Sequence, residues 1–245
     1  MKNISPLAAL ACCIFLGACT PGINSHPATA EIESTGMRAI QAQHPDAIKT
    51  LRAWANQGIV TAQRELGLAL AVQADKQAEA AQWLEKAAQA GDTEAQFAFA
   101  EANYKARLGL PQNLKLAWKW YEAAAAKNNA KASFMLARMA KYGEGTTLDL
   151  QKSVHWLQVA SNQGNAQAMF LLSNAYADGE GIAKDPVKAR AWLERSAEGD
   201  FPPAIQSLAM ELEGGKEHHD PDKLSARHLL KEASDERMLR WNKFQ

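Results

Sequence analysis

The side chains with the most obvious capacity for chemistry are His218 and His219. Glu217 precedes them and Asp220 follows them. Imidazole and carboxylate groups are common metal ligands. Adjacent histidines in a loop rarely point at one ion without further fixed ligands, so we interpret this stretch as a solvated loop and expect no metal site.

Glu211 and Glu213 are two residues apart on a predicted helix and face different ways, so they do not form an acid/base pair.

Motifs of the common enzyme classes are missing from the sequence. The chain has no His-Glu-x-x-His, Gly-x-Ser-x-Gly, Gly-x-Gly-x-x-Gly or P-loop motif. It also lacks the Ser-x-x-Lys and Lys-Thr-Gly motifs used by serine acyl-enzymes. The sequence therefore predicts a protein that is not an enzyme and that uses no cofactor.

The cysteines point to processing of the chain and not to catalysis. Residues 7–18 form an apolar run that is too short to span a bilayer and that follows a positively charged start, as in a cleaved signal peptide. The run ends in the sequence Leu16-Gly17-Ala18-Cys19. This tetrapeptide resembles the lipobox of bacterial lipoproteins. The resemblance implies a signal peptide over residues 1–18 and an acylated Cys19 as the new amino terminus.

The same resemblance implies a location for the anchor. In bacterial lipoproteins an Asp directly after the acylated Cys favours the inner membrane, whereas this chain has Thr20, so we expect the outer membrane, at its periplasmic face. Removal of the signal peptide would leave Cys19 as the single thiol, so no intramolecular disulfide could form. Residues 19–36 contain Pro and Gly and few large apolar side chains, which predicts a flexible tether after the lipidated Cys.

The overall composition favours a helical protein and argues against nucleic-acid binding. Alanine, the strongest helix former, accounts for 48 residues, whereas Val and Ile together account for 14. The 27 basic and 27 acidic residues balance, so the chain has no net positive field for phosphates. Composition thus predicts an all-α protein with no nucleic-acid partner.

A period of about 36 residues organises most of the chain. Four tryptophans fall at intervals of 37, 36 and 36: Trp83, Trp120, Trp156 and Trp192. In the same phase, two further series are spaced by 36, namely Ala132, Ala168, Ala204 and Leu136, Leu172, Leu208. A fixed period of this length indicates a solenoid, and the apolar spacing inside one unit predicts two helices. We expect the tryptophans to belong to the core.

Turn and cap residues recur with the same period. Helices are predicted to end at residues that tolerate left-handed dihedrals: Gly91, Asn128-Asn129, Gly164 and Gly199. The following helices are predicted to start at side chains that cap an N-terminus: Asn113, Asp149, Asp185 and Asp220. Glycine pairs such as Gly143-Glu144-Gly145 and Gly179-Glu180-Gly181 join one unit to the next, and we interpret them as structural.

This unit resembles the Sel1-like repeat, a relative of the tetratricopeptide repeat. The resemblance rests on Lys188-Ala189, Trp192-Leu193, Ser196-Ala197, Gly199, Ala204, Leu208 and Tyr176-x-x-Gly179-x-Gly181, and it covers about residues 50–235. It implies an all-α, right-handed superhelical solenoid of antiparallel helix pairs. We expect four to five pairs over residues 37–245, with a capping helix at the carboxyl end.

Solenoids of this kind bind proteins on an extended concave surface. Trp118 breaks the repeat pattern, because the equivalent residues are Ala81, Val154 and Arg190. If the first helix of each pair lines the concave surface, Lys119 and His155 flank Trp118 there. We therefore predict a partner-binding site at Trp118, Lys119 and His155, with simple packing of Trp118 in the core as the alternative.

Two functions remain open on the sequence alone. The resemblance favours an outer-membrane-anchored periplasmic scaffold or adaptor for protein partners of the cell envelope. The alternative is an enzyme, or an enzyme regulator, that acts on cell-wall material, although no nucleophile motif supports catalysis.

Overall fold

Eleven α-helices make up nearly all of the described chain. The computed structural model describes residues 27–42, 44–214 and 231. The helices are α1 Thr29–Ala42, α2 Pro45–Asn56, α3 Val60–Ala71, α4 Gln77–Gln89, α5 Thr93–Tyr104, α6 Leu114–Ala125, α7 Ala130–Tyr142, α8 Leu150–Asn162, α9 Ala166–Asp178, α10 Pro186–Glu198 and α11 Pro202–Gly214. A short 3₁₀ turn, Ala74–Lys76, precedes α4, and the described residues form no strand. The predicted all-α solenoid of helix pairs is confirmed.

The predicted caps start the helices of the repeat. The side chain of Asn113 accepts a hydrogen bond from the Leu116 amide at 3.0 Å, and Asp149 accepts one from the Lys152 amide at 2.9 Å. Asp185 does the same at 3.0 Å at the start of α10, where Pro186 follows as the first helical residue. Asp220 lies outside the described residues. These caps satisfy amides that would otherwise lack a partner at each helix start.

The turn predictions hold with one exception. Gly91, Asn128 and Gly164 adopt positive φ angles of 92°, 63° and 89°. At the end of α10, however, Gly199 has a φ of −86° and Asp200 takes the positive φ of 55°. Glycine is needed at Gly199 for space, because a Cβ there would lie 2.8 Å from the Cβ of Ala166.

The core of the described chain is a stripe made of four buried clusters of mainly small and branched side chains. The predicted series Ala132, Ala168 and Ala204 is fully buried, and Leu136 and Leu172 are as well. Of the four repeat tryptophans only Trp83 is buried, at 9% exposure, whereas the other three lie partly exposed at the edge of the stripe: Trp120, Trp156 and Trp192. The prediction that these tryptophans belong to the core therefore holds for Trp83, whereas the other three are only partly buried and pack against the core clusters.

The first helix corrects the predicted tether. Helix α1 begins at Thr29, so the last eight residues of the predicted tether, 29–36, are helical. Ile32 is 2% exposed and Thr35 is 1% exposed, because α1 packs on α2 and α3. Helices α1 and α2 thus form an additional pair ahead of the periodic units. Residues 1–26, with Cys19, lie outside the described residues, and so does the predicted carboxyl-terminal cap.

Candidate functional site

Trp118 lies in the core of the solenoid. Its side chain is 8% exposed and belongs to the apolar cluster around α6 and α7. The ammonium group of Lys152 lies 4.3 Å from the ring centroid, a cation–π contact between α8 and α6. This is the packing role that the sequence left open as the alternative, and the ring offers little surface to a partner.

Lys119 and His155 are exposed on α6 and α8. The ring of His155 contacts its own neighbour Trp156, with centroids 5.5 Å apart. Within the described chain no hydrogen bond or ion pair joins either residue to Trp118. Their role in partner binding stays a prediction.

A groove opens between α7 and α9, with α8 as its floor. The cavity has a volume of about 370 Å³. Its floor is formed by the buried side chains of Ser153, Val154 and Leu157 of α8, while Phe134 of α7 and Leu171 of α9 line its walls. Val154 occupies in its unit the position that Trp118 occupies in the preceding unit. This position therefore lines a groove, but one unit later than we predicted.

The rim of the groove is polar and carries both signs of charge. Helix α7 contributes Arg138 and Lys141, and Asp178 and Glu180 lie on the opposite side. The ammonium group of Lys141 and the carboxylate of Glu180 form an ion pair at 2.8 Å. The exposed ring of Tyr142, 62% accessible, stands at one end. An apolar floor inside a polar rim is the usual anatomy of a protein-binding surface.

The Gly-Glu-Gly loops link each unit to the one before it through the side chain of their glutamate. The Tyr104 hydroxyl donates a hydrogen bond to Glu144 at 2.6 Å, and one unit later Lys141 pairs with Glu180. Burial, together with the bond to Glu144, raises the pKa of Tyr104 to about 12. Residue spacing predicted a structural role for the glycines of these loops but no role for the glutamate between them.

A partly buried ionic cluster joins the amino-terminal helices. The guanidinium of Arg64 on α3 donates to Glu33 of α1 at 2.9 Å and to Asp92, the cap of α5, at 3.0 Å. It also donates to Glu65 at 2.9 Å, whose pKa is raised by burial. Because the cluster joins α1, α3 and α5 and contacts no cavity described above, its role is structural.

Metal-ligating side chains are not clustered in the described part of the chain. No cluster of three or more His, Cys, Asp or Glu side chains within this part could hold a metal ion. The His218–His219 segment lies outside the described residues. None of the described helices is both long enough and apolar enough to cross a bilayer.

The repeat profile of one family matches most of the chain. The Sel1 repeat matches residues 61–92, 93–129, 130–165, 166–201 and 202–237. The chain belongs to the Sel1 repeat family. The last of these five repeats extends beyond the described residues.

Two solved structures share the Sel1 fold of this chain. One is a Sel1 repeat protein from Oxalobacter formigenes, which is 24% identical, with a TM-score of 0.72 over 85% of this chain and 88% of that chain. The other is a protective antigen of uropathogenic Escherichia coli with an SLR fold, which is 23% identical, with a TM-score of 0.72 over 84% of this chain and 46% of that chain. This chain thus spans about half of the antigen's chain. No curated protein matches the sequence.

The boundaries of the Sel1 repeats correct the phase that we predicted. Each repeat begins with the helix that follows the Gly or Asn turn, so α7 and α8 form one repeat and α9 begins the next. The groove walls are therefore the first helices of successive Sel1 repeats, whereas Lys119 and His155 lie on second helices. The residue spacing predicted the period correctly, but a period alone does not determine where a unit starts.

Proposed function

We propose that this protein is a scaffold, anchored by lipid at the periplasmic face of the outer membrane, that binds protein partners through the α7–α9 groove. Sel1-like repeats generally mediate protein–protein interaction. The observation that carries the proposal is the open groove with an apolar floor and a polar rim in the middle of the stack. The identity of the groove as the contact surface, and the absence of catalysis, are parts of this proposal.

The anchor is the second part of the proposal. Leu16-Gly17-Ala18-Cys19 supports acylation at Cys19, and each buried methylene of an acyl chain contributes about 0.8 kcal/mol to membrane binding. Helix α1 begins at Thr29, ten residues after Cys19, so even a fully extended connection holds its start no farther than roughly 35 Å from the anchored Cys. Partners would then be gathered close to the membrane surface.

Photo-crosslinking in cells tests the groove. A photoreactive phenylalanine analogue replaces Tyr142 at the rim, and the same analogue at Met37 of α1, which is 57% exposed, is the matched control. We expect a discrete crosslinked partner from the Tyr142 site and none from the Met37 site. Equal crosslinking from both sites, or none from Tyr142, would contradict the proposal.

Metabolic labelling tests the anchor. Labelled fatty acid should enter the wild-type chain, whereas Cys19→Ser should take up none and should accumulate as uncleaved precursor. Equal labelling of the two chains would show that the anchor is misassigned while leaving the groove untouched.

A further inference from the structure

The groove unit differs from the preceding unit at the residues that line the groove. Three groove residues of α7, namely Phe134, Arg138 and Lys141, are equivalent to three residues of α5, namely Phe97, Glu101 and Tyr104, each 37 positions earlier. The floor residue Leu157 is equivalent to Tyr121. The two units can therefore be compared position by position.

In the preceding unit the ring of Tyr121 fills the equivalent space. Tyr121 is fully buried, with its ring centroid 5.7 Å from that of Phe97 and 6.5 Å from that of Tyr104. Its hydroxyl donates a hydrogen bond to Glu101 at 2.7 Å. All three partners on α5 are the counterparts of groove residues on α7.

In the groove unit both members of that hydrogen bond are replaced. Leu157 is shorter than a tyrosine and has no hydroxyl, so the space remains open. Arg138 stands where the carboxylate of Glu101 stands in the preceding unit. Within the described part of the chain Arg138 forms no ion pair, and its polar contact is with the sulfur of Met135 at 3.8 Å.

The charges of the groove rim determine which ligand groups Arg138 can bind. Of the two cations that α7 contributes to the rim, Lys141 is already paired with Glu180, so Arg138 is the one that is open to a ligand. Asp178 lies one helical turn beyond Asn174, the residue equivalent to Arg138 on α9. A ligand's carboxylate is therefore favoured on the α7 side of the groove.

We propose that the groove binds an aromatic side chain of a partner polypeptide that stands next to an acidic residue. This inference rests on the proposed function and names the class of partner. The aromatic ring enters from the open side and occupies the space that Tyr121 fills in the preceding unit, against Val154, Leu157 and Leu171. The adjacent carboxylate pairs with the guanidinium of Arg138 at the rim. A cavity of about 370 Å³ lies at the lower end of the range of about 300–1,000 Å³ for ligand pockets, which suits a side chain.

The preceding unit supplies a variant that closes the groove. The double substitution Leu157→Tyr with Arg138→Glu, here called the sealed variant, recreates the pair formed by Tyr121 and Glu101. Because this chain already accommodates that pair one unit earlier, the sealed variant is expected to fold with the melting temperature of the wild type or higher. Arg138→Gln removes only the cation, and Arg107→Gln, at an exposed loop residue outside the groove, is the matched control.

Selection from a displayed library of random short peptides on the detergent-solubilised full chain tests the inference. We expect enriched peptides with an aromatic residue beside Asp or Glu. These should bind about tenfold more weakly to Arg138→Gln, since a hydrogen bond to a charged group is lost, and unchanged to Arg107→Gln. Binding to the sealed variant should be lost. Replacing the acidic residue of the peptide by its amide should cost about as much as Arg138→Gln.

Other outcomes separate this inference from the proposed function. Enriched peptides without an aromatic–acidic pair, bound by the wild type and lost in the sealed variant, would overturn the inference and leave the groove as the binding surface. Peptides that bind the sealed variant and the wild type equally would overturn both. Failure to enrich any peptide above the level of the sealed variant would also overturn the inference.

Discussion

The position of Trp118 shows how one residue per unit sets the local chemistry of this solenoid. Trp118 is buried beneath the ammonium group of Lys152. The equivalent residue Val154 is smaller and forms part of the apolar floor of the groove. In the next unit Arg190 stands there and forms ion pairs with Glu194 and Glu211. The helices are alike, and the differences between units come from this position and its neighbours.

Trp118→Ala should destabilise the chain by about 3–5 kcal/mol, because it removes a large side chain that is 8% exposed and leaves a cavity. Denaturant unfolding followed by circular dichroism measures the loss. Trp156→Ala is the matched control: Trp156 is partly exposed, so its removal should cost less. Equal losses for the two variants would mean that burial does not distinguish these tryptophans.

Tyr104 gives the solenoid a stability that is lost at high pH. Its pKa is raised from 10.0 to about 12 in the folded chain, so the protonated form stabilises the fold fully below about pH 10, and this contribution is lost as the pH rises towards 12. Tyr104→Phe and Glu144→Gln should each make the decline of unfolding free energy above pH 10 shallower than in the wild type. If the slope of unfolding free energy against pH is unchanged in both variants, the hydrogen bond between Tyr104 and Glu144 does not stabilise the fold.

The helices and their turns were largely predictable, because they depend on local sequence repeated at a fixed distance. Caps such as Asp149 and Asp185 act on amides three residues away, so spacing alone locates them. Helix α1 was missed because it has neither the Trp nor the Gly-x-Gly of the repeat and packs through Ile32 and Thr35. Gly199 ends α10 as predicted, but Asp200 takes the left-handed dihedral, and the need for glycine at Gly199 comes from Ala166, a residue of another helix.

Some positions in the loops require glycine for a second reason besides the dihedral angles. Gly181 has a φ of +72°, and a Cβ there would lie 2.4 Å from the carbonyl oxygen of Leu150 in the preceding repeat. Gly164 has a φ of +89°, but a Cβ there would meet no atom within 4 Å. The loop after α9 therefore touches the start of α8 closely, and this contact helps to set the stacking of one repeat on the next.

Alanine substitution should separate these two requirements. Gly164→Ala should cost about 1–2 kcal/mol for the left-handed backbone alone. Gly181→Ala should cost a further 1–3 kcal/mol or so, as overpacking does, because the backbone of α8 cannot move aside cheaply. Urea unfolding of both variants measures the difference, and equal costs would refute the close contact.

At the scale of the whole molecule, the described residues form a stack of similar repeats, and a groove opens between α7 and α9 near its middle. The sequence predicted the stack, because periodicity is visible along the chain. It did not predict the groove, since Val154 and Leu157 look like ordinary core residues until the helices α7 and α9 are placed on either side of them. If Cys19 is acylated as proposed, the α1 end of the stack lies close to the membrane.

Capture of envelope proteins by the full chain and by the sealed variant tests the central claim most directly. Both chains are purified in the same detergent, shown to have equal helicity and melting temperature, and incubated with the same solubilised envelope. The account predicts that a defined set of proteins is retained by the wild type and is missing from the sealed variant. Retention of the same proteins in the same amounts by both chains would show that the α7–α9 groove is not the partner-binding surface.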